Sequence, residues 1–142
     1  MAIMPLCQSL SALEKSYAYT DADITEDNDP ALVGNRLSGV PEHSANLWTT
    51  YEIQSGDLQG LGFGLGLNFV GERQGDLANS YELDDYILTN AAVFYKWDNY
   101  RVGLNFENIF DVDYIIGNSE NTIRGIDPGE PFTVMGSFSV KF

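Results

Sequence analysis

Hydrophobic and polar residues alternate at the end of the chain. Small or hydrophobic residues occupy every second position, at Phe132, Val134, Gly136, Phe138, Val140 and Phe142, and most of the residues between them are polar. A period of two places successive side chains on opposite faces of a β-strand, so the pattern predicts a strand with one apolar face. Soluble sandwich strands show the same alternation, but they are usually about 5–6 residues long, and this segment is about twice that.

The same alternation recurs upstream. Clear segments are predicted to be strands at 45–54, 61–69, 87–97 and 100–107. A weaker segment lies around 13–23 and carries Tyr17 and Tyr19. Together with the final segment, these predict an all-β, antiparallel sheet of about six strands.

The segment 61–69 differs from the others in what its second face carries. Leucine and phenylalanine alternate with Gly62, Gly64 and Gly66. Glycine weakens a strand and usually marks close approach of another group, which in a barrel leaves room in the lumen. Gly-x-Gly spacing also occurs in nucleotide-binding loops, but there a helix follows, whereas these glycines lie within an alternating strand.

The connections between the predicted strands alternate in length. Short turns at 55–57 and 98–99 join the second strand to the third and the fourth to the fifth, and long polar segments join the other pairs. Outer-membrane barrels have short periplasmic turns and long outer loops, so this parity predicts part of a transmembrane β-barrel with a periplasmic carboxy terminus. Trp97, Tyr100 and Phe142 then gather at the short-turn end, as in an interfacial aromatic girdle.

Composition narrows the function classes. Among 142 residues, 21 are acidic and 7 are Lys or Arg, giving a formal net charge of −14, which disfavours nucleic-acid binding. The acids concentrate in the three long connections, which is typical of solvated loops, with a dedicated cation site as the alternative. No apolar run approaches the roughly 20 residues of a transmembrane helix. The lone Cys7 supports no disulfide framework, and the isolated His43 argues against metal ligation.

Four short motifs occur in order along the predicted strands and loops. The first two are Tyr17-Ala18-Tyr19-Thr20-Asp21-Ala22 and Val33-Gly34-Asn35-Arg36-Leu37. The others are Val70-Gly71-Glu72-Arg73 with Gly75-Asp76 and Asn79, and Asn108-Ile109-Phe110-Asp111 with Tyr114. In this order the motifs resemble the Y-x-Y-T-D-A, G-N-x-L, V-G-x-R-x-G-D and N-L-F-D-x-x-Y segments of TonB-dependent siderophore receptors, particularly the ferrichrome-receptor-like group.

The resemblance implies a 22-stranded outer-membrane barrel with an N-terminal plug, in a Gram-negative-type envelope, that imports ferric siderophores with energy from the TonB complex. Residues 1–142 then form about six carboxy-terminal strands, with 1–10 a non-native or disordered start, and the signal, plug and upstream strands are absent. The isolated chain is expected to form an open sheet that does not transport. The further expected partners are outer-membrane lipid, lipopolysaccharide and the barrel assembly machinery. No enzymatic activity, metal site or directly bound cofactor is expected.

Two arginines are candidate ligand-binding residues in the otherwise acidic loops. Arg73 and Arg124 are each positioned to meet an anionic ferric siderophore. The competing interpretation is a salt bridge within the loops, to Glu72 or Asp127, of the kind that contributes little when exposed.

Aromatic and motif residues complete the candidate set. Tyr81, Tyr86 and Tyr114 are predicted either to stack on a ligand or to belong to the aromatic girdle. Asn and Asp side chains bond to nearby backbone where a strand ends, so the last motif is interpreted as structural at Asn108, Phe110, Asp111 and Tyr114. The terminal Phe142 resembles the signal by which the assembly machinery recognises barrel proteins.

Departures from the family pattern limit what the resemblance transfers. Asp84-Asp85-Tyr86 stands where the family commonly has a proline, and Pro131-Phe132 stands where it often has Pro-Arg. Ligand specificity therefore does not follow from the resemblance. A soluble β-rich binding module and a general porin fragment remain the alternatives. An enzyme is disfavoured, because no Ser, His and Asp set and no paired carboxylates occupy a defined cleft position.

Overall fold

The computed structural model describes residues 10–118 and 126–142. Within them, ten strands follow one another: β1 (Leu10–Tyr19), β2 (His43–Glu52), β3 (Leu61–Val70), β4 (Arg73–Gln74), β5 (Glu82–Leu83), β6 (Tyr86–Trp97), β7 (Tyr100–Glu107), β8 (Ile115–Asn118), β9 (Ile126–Pro128) and β10 (Thr133–Val140). The six long strands form one antiparallel sheet in the order β1-β2-β3-β6-β7-β10. No helix in the described ranges is long and apolar enough to cross a membrane.

The sheet confirms the prediction of six antiparallel strands, but the first strand ends earlier than predicted. It was expected around 13–23 and spans Leu10–Tyr19. The difference arises because the following backbone bonds within its own loop, where the Leu37 N–H donates to the Ala22 carbonyl at 2.8 Å. These groups are therefore not free to extend the sheet.

The connections keep the predicted alternation of short and long. The turn expected at 55–57 occupies 53–60, and Asp98-Asn99 forms a two-residue turn in which Asp98 has a φ of 49°. Two of the long connections contain small hairpins that the alternation did not predict, β4 with β5 and β8 with β9. Strands this short carry too few residues for a period of two to be recognised.

The two faces of the large sheet are unlike. Direct pairing places Tyr51, Phe63, Val93 and Leu104 in one row across four strands, and these side chains are 38%, 45%, 36% and 47% exposed. An exposed apolar row of this length is what a lipid-facing surface requires. The opposite face carries polar contacts, including an ion pair of 2.5 Å between Lys96 Nζ and Glu52 Oε2.

The glycine face of β3 is covered by aromatic rings. Trp48 on β2 lies over Gly64 and Gly66, where a Cβ at Gly66 would come within 2.2 Å of Trp48 Cε3. Phe94 on β6 lies over Gly62, where a Cβ would come within 2.2 Å of its Cζ. The expectation that the glycines leave room in the lumen is therefore corrected. Rings fill that space because glycine alone lets them lie so close to the strand.

Phe94 is one of few buried apolar side chains. In the described part of the chain, the buried hydrophobic residues are Leu83, Ala92 and Phe94. The Lys96 ammonium lies 5.1 Å from the Phe94 ring centroid and the Arg101 guanidinium 4.7 Å from it. Both distances are within cation–π range. Phe94 on the polar face is therefore in contact with two cations.

Aromatic rings border the apolar face at the short-turn end. Tyr95, Trp97, Tyr100 and Phe138 form a row whose successive centroids lie 5.5, 5.6 and 6.2 Å apart. The predicted gathering of aromatics is confirmed for Trp97 and Tyr100. Phe142 lies beyond the end of β10 and is fully exposed.

A second aromatic group lies at the long-loop end of the same face. Tyr17 and Tyr19 lie against His43, with ring centroids 6.1 and 5.2 Å from it, and the Tyr17 hydroxyl is 2.8 Å from His43 Nδ1. Rings that present an apolar body and a polar group suit a boundary between lipid and water. The apolar face is therefore bordered by such rings at both ends.

The glycine face yields a test. Gly66→Ala is expected to destabilise the sheet by about 1–3 kcal/mol, because the added methyl overlaps the Trp48 ring. The control is Gly136→Ala, where the nearest atom to a Cβ would be Leu104 Cδ2 at 3.8 Å, an ordinary contact. Urea unfolding of the protein in detergent measures both. Equal effects at the two glycines would contradict the packing assigned to Trp48.

Candidate binding surface formed by three long loops

Three long connections leave the sheet at the same end of its strands. They are named loop A (20–42), loop B (71–85) and loop C (108–132), and loop C is described over 108–118 and 126–132. Because the neighbouring strands are antiparallel, every second connection lies at this end of the strands. The loops carry most of the acidic residues and most of the motif residues, although the first motif begins on β1 and the third begins at Val70, the last residue of β3.

Asn79 joins loop B to loop A. Its side chain is paired with the main chain of Arg36, accepting from the Arg36 N–H at 2.8 Å and donating to the Arg36 carbonyl at 2.9 Å. A carboxamide here reproduces the two bonds that a strand partner would make. Asn79 has a φ of 51°, a left-handed conformation that Asn tolerates better than most residues. Asn35 Nδ2 adds a bond of 2.9 Å to the Leu77 carbonyl.

Loop B is also ordered from within. Asp76 accepts hydrogen bonds from the Ser80 hydroxyl and, at 2.8 Å, from the Ser80 N–H. These bonds hold the pKa of the Asp76 carboxyl below its ordinary value, since they favour its charged form. The ring of Tyr81 covers Gly75, and its hydroxyl donates to the Gly75 carbonyl at 3.0 Å.

Arg73 joins loop B to loop C. The residue is only 3% exposed. Its guanidinium donates to the carbonyls of Ile115 and Ile116 in loop C, the second at 3.5 Å, and to the Asp84 carbonyl at 3.3 Å. It also lies 5.2 Å from the Tyr86 ring centroid. The described partners of this cation are therefore main-chain oxygens and an aromatic face.

Tyr114 extends this contact. Its ring is tilted against Tyr86, with centroids 4.5 Å apart, and it covers Gly129 so closely that a Cβ there would lie 2.1 Å from its Cζ. The Tyr114 hydroxyl accepts from the Glu130 N–H at 3.2 Å, and the Tyr114 carbonyl accepts from the Gly129 N–H at 2.7 Å. Tyr114 thus holds the two described parts of loop C together.

Asn108 and Asp111 fasten the root of loop C to the sheet. Asn108 is 2% exposed, donates to the carbonyls of Val112 and Glu130 at 2.9 and 3.1 Å, and accepts from the Val112 N–H at 2.8 Å. Asp111 Oδ1 accepts from the Phe132 N–H at 2.8 Å. Both residues have a φ of 50°. These bonds close the loop where β7 ends and β10 is about to begin.

The structure brings some of the candidate residues together and separates others. Arg73 and Tyr114 meet through Tyr86, whereas Tyr81 packs on Gly75 of its own loop. Arg124 lies outside the described residues. Ligand contact by these four residues stays a prediction. Phe110 is 74% exposed, whereas Asn108 of the same motif is 2% exposed.

Asn79 was not singled out as a functional residue by sequence reasoning. Its motif position was noted, but its partner Arg36 lies 43 residues earlier, and no local pattern encodes that pairing. Within the described ranges, no group of three His, Cys, Asp or Glu side chains is arranged to hold a metal ion.

A protein-family model described as TonB dependent receptor-like, beta-barrel, matches residues 9–109. The chain belongs to this family. Its members are outer-membrane receptors and transporters, not enzymes, and the sequence-based identification of the family is confirmed.

Curated relatives of this TonB-dependent receptor chain are much longer. The metal-pseudopaline receptor CntO of Pseudomonas aeruginosa is 36% identical over 129 residues, which make up 89% of this chain and 18% of CntO. The ferrichrome outer membrane transporter/phage receptor of Escherichia coli K12 is 39% identical over 107 residues, or 70% of this chain and 14% of that protein. The chain therefore spans less than a fifth of these relatives.

Solved structures share the fold. The unliganded ferric citrate transporter FecA superposes with a TM-score of 0.78 at 26% identity, covering 92% of this chain and 21% of FecA. The siderophore receptor PiuA from Acinetobacter baumannii gives a TM-score of 0.74 at 23% identity, covering 92% of this chain and 19% of PiuA. The six-stranded sheet is thus a portion of a TonB-dependent receptor barrel that does not close by itself.

Removing the Asn108 side chain tests its role. Asn108→Ala is expected to cost about 1–3 kcal/mol of unfolding free energy, because it leaves partly buried main-chain groups of Val112 and Glu130 unpaired. It should also speed hydrogen exchange of the Val112 amide, which bonds to Asn108 Oδ1. The control is Asn105→Ala on the preceding strand β7, expected to cost less than about 0.5 kcal/mol. A loss no larger at Asn108 than at Asn105 would contradict the assignment.

The lowered pKa of Asp76 predicts a pH dependence. Because the folded-state pKa lies below that of the unfolded chain, the carboxylate stabilises loop B at neutral pH and stops doing so as the pH falls through the lowered value. Exchange of the Ser80 amide, corrected for its intrinsic rate, should therefore accelerate in acid. Asp76→Asn should remove most of this dependence, while Asp57→Asn in the opposite turn should leave it intact. An unchanged acid response in Asp76→Asn would refute the prediction.

Proposed function

We propose that the chain is part of an outer-membrane receptor for ferric-siderophore uptake, energised through the TonB complex when the whole barrel and plug are present. The six strands would contribute to a barrel of 22 strands, in keeping with the range of outer-membrane barrels. The observation that carries the proposal is the exposed apolar row of the sheet beneath interlocked loops at one edge.

The proposed orientation places loops A, B and C outside the cell. In outer-membrane barrels the long loops face outward and the short turns face the periplasm. Turns 53–60 and 98–99, together with Phe142, would then lie on the periplasmic side. Exposed Phe142 would serve as the terminal aromatic that the assembly machinery recognises.

Recognition, not catalysis, is the proposed chemistry of the loops. The matched relatives include receptors named for metal-pseudopaline, ferrichrome and ferrioxamine B, so the proposed ligand is an iron-loaded siderophore carried as cargo. Tyr81 and Tyr114 are proposed to contribute aromatic edges, and Arg124 a positive charge. The acidic loop surface is proposed to be solvated or bridged to lipopolysaccharide by divalent cations.

An open sheet is not expected to transport alone. β1 and β10 each have one neighbour in the sheet, so each presents an unpaired main-chain edge. In lipid, an unsatisfied amide or carbonyl costs on the order of several kcal/mol. Transport by this receptor is therefore proposed to require further strands beside β1 and β10.

Membrane localisation provides the first test. Outer membranes from cells that produce this chain within a whole receptor barrel are expected to contain that receptor, and its electrophoretic migration should change on boiling, as expected when a closed barrel unfolds. Detergent-free extracts should lack it. A monodisperse, cooperatively melting monomer in the soluble fraction would contradict the proposal and favour a soluble β-rich binding module.

Ligand binding is tested on the same detergent-purified outer-membrane protein. Iron-loaded ferrichrome and ferrioxamine B are added while tryptophan fluorescence, to which Trp48 on the polar face contributes, is followed. Saturable quenching by at least one iron-loaded siderophore, and weaker quenching by its iron-free form, is the expected result. Absence of saturable quenching by any member of a broader siderophore panel would remove the proposed ligand class.

A further inference from the structure

We propose that Arg73 is a positioning residue that fixes loop B against the described part of loop C, so that loops A and B and this part of loop C present one rigid rim to the ligand. This role rests on the proposed function, because the ligand of the rim is the proposed ferric siderophore. It also gives Arg73 a different role from direct contact with an anionic siderophore.

Burial and geometry support the positioning role. At 3% exposure, the guanidinium has given up water and must be satisfied by protein groups. It is a planar, permanently charged group with five N–H donors, and here it is directed at carbonyls from separate chain segments. A cation held in this way has little surface left with which to approach a ligand.

The aromatic contacts make the joint specific. Arg73 lies over one face of the half-buried Tyr86, and Tyr86 packs against Tyr114 at 4.5 Å. Cation–π attraction grows when water is excluded, as it is here. Because Tyr86 is the first residue of β6, the contact also anchors both loops to the sheet.

Loop A is joined to the other side of loop B. The paired bonds between Asn79 and the Arg36 main chain are supplemented by the Gly39 N–H, which donates to the Gln74 carbonyl at 2.8 Å. Gln74 is the neighbour of Arg73 in β4. The Gly39–Gln74 bond to loop A and the Arg73 bonds to loop C are therefore made by adjacent residues of one short hairpin, and Asn79 adds its two bonds from the segment between β4 and β5.

Hydrogen exchange on the detergent-purified protein tests the joint. In Arg73→Gln, amides in the described part of loop C, such as Gly129, should exchange at least about tenfold faster, while strand amides of β2 and β3 keep their protection. The control is Arg36→Gln, whose exposed side chain pairs with Glu42 and whose main chain still binds Asn79. It should leave loop C unchanged.

Arg73→Lys separates the shape of the guanidinium from its charge. A compact ammonium cannot reach all the carbonyls, so Lys should fail to restore protection of loop C. Full restoration by Lys, or acceleration confined to loop B in Arg73→Gln, would overturn the proposal. Should Arg73→Gln lose its heat-modifiable form, the milder Asn79→Asp tests the other joint. It should raise exchange in loop A while the Gly71–His43 bond at the root of loop B persists.

Siderophore binding distinguishes positioning from direct contact. A positioning residue affects every ligand of the rim, so Arg73→Gln should weaken a neutral and an anionic ferric siderophore by similar factors, about tenfold each. Selective loss of the anionic one would overturn the proposal in favour of direct contact. A different result would contradict the proposed function but not the role of Arg73. In that case the wild-type protein binds no ferric siderophore, while the described amides of its three loops remain protected from hydrogen exchange.

Discussion

Main-chain hydrogen bonding between neighbouring strands is the interaction on which the rest of this structure depends. In lipid no water is available to satisfy amides and carbonyls, so each strand requires a partner along its length. The pairing of neighbouring strands from β1 to β10, with one shift of register between Leu10 and Ala12, provides this in the interior of the sheet. It also fixes which side chains share a face, because directly paired residues point the same way. The apolar row and the polar face are thus consequences of one register.

The register has a second consequence at the glycines of β3. These glycines have no side chains, so the rings of Trp48 and Phe94 lie directly over the main chain of β3. The polar face therefore contains ordered aromatic surface with little of a conventional core. Lys96 and Arg101 lie beside Phe94. The position of the Phe94 ring, which the glycine at 62 allows, therefore also favours the positions of these two charges on the polar face.

Sequence reasoning succeeded where the information was local. Alternation located β2, β3, β6 and β7 to within a few residues, because a period of two is visible wherever the faces differ. It placed the end of the first strand near residue 23, but β1 ends at Tyr19, because the Ala22 carbonyl accepts a hydrogen bond from Leu37 within loop A. It also could not show that Arg73 is buried, because its partner carbonyl at Ile115 lies 42 residues later. The salt bridge from Arg73 to Glu72 was the alternative interpretation, whereas the contacts of Arg73 in the described residues are with main-chain carbonyls and the Tyr86 ring.

The residues that made the family recognisable are largely those that hold the loops together. Asn35 bonds to loop B, Arg73 bonds to loop C, and Asn108 closes the root of loop C. Such bonds require a particular side chain at a particular place, whatever ligand the rim accepts. The motifs therefore report the architecture of a TonB-dependent receptor, and under the proposed function the choice of ligand would depend on exposed positions between them. That division explains why a chain can match receptors named for chemically different siderophores with the same few motifs.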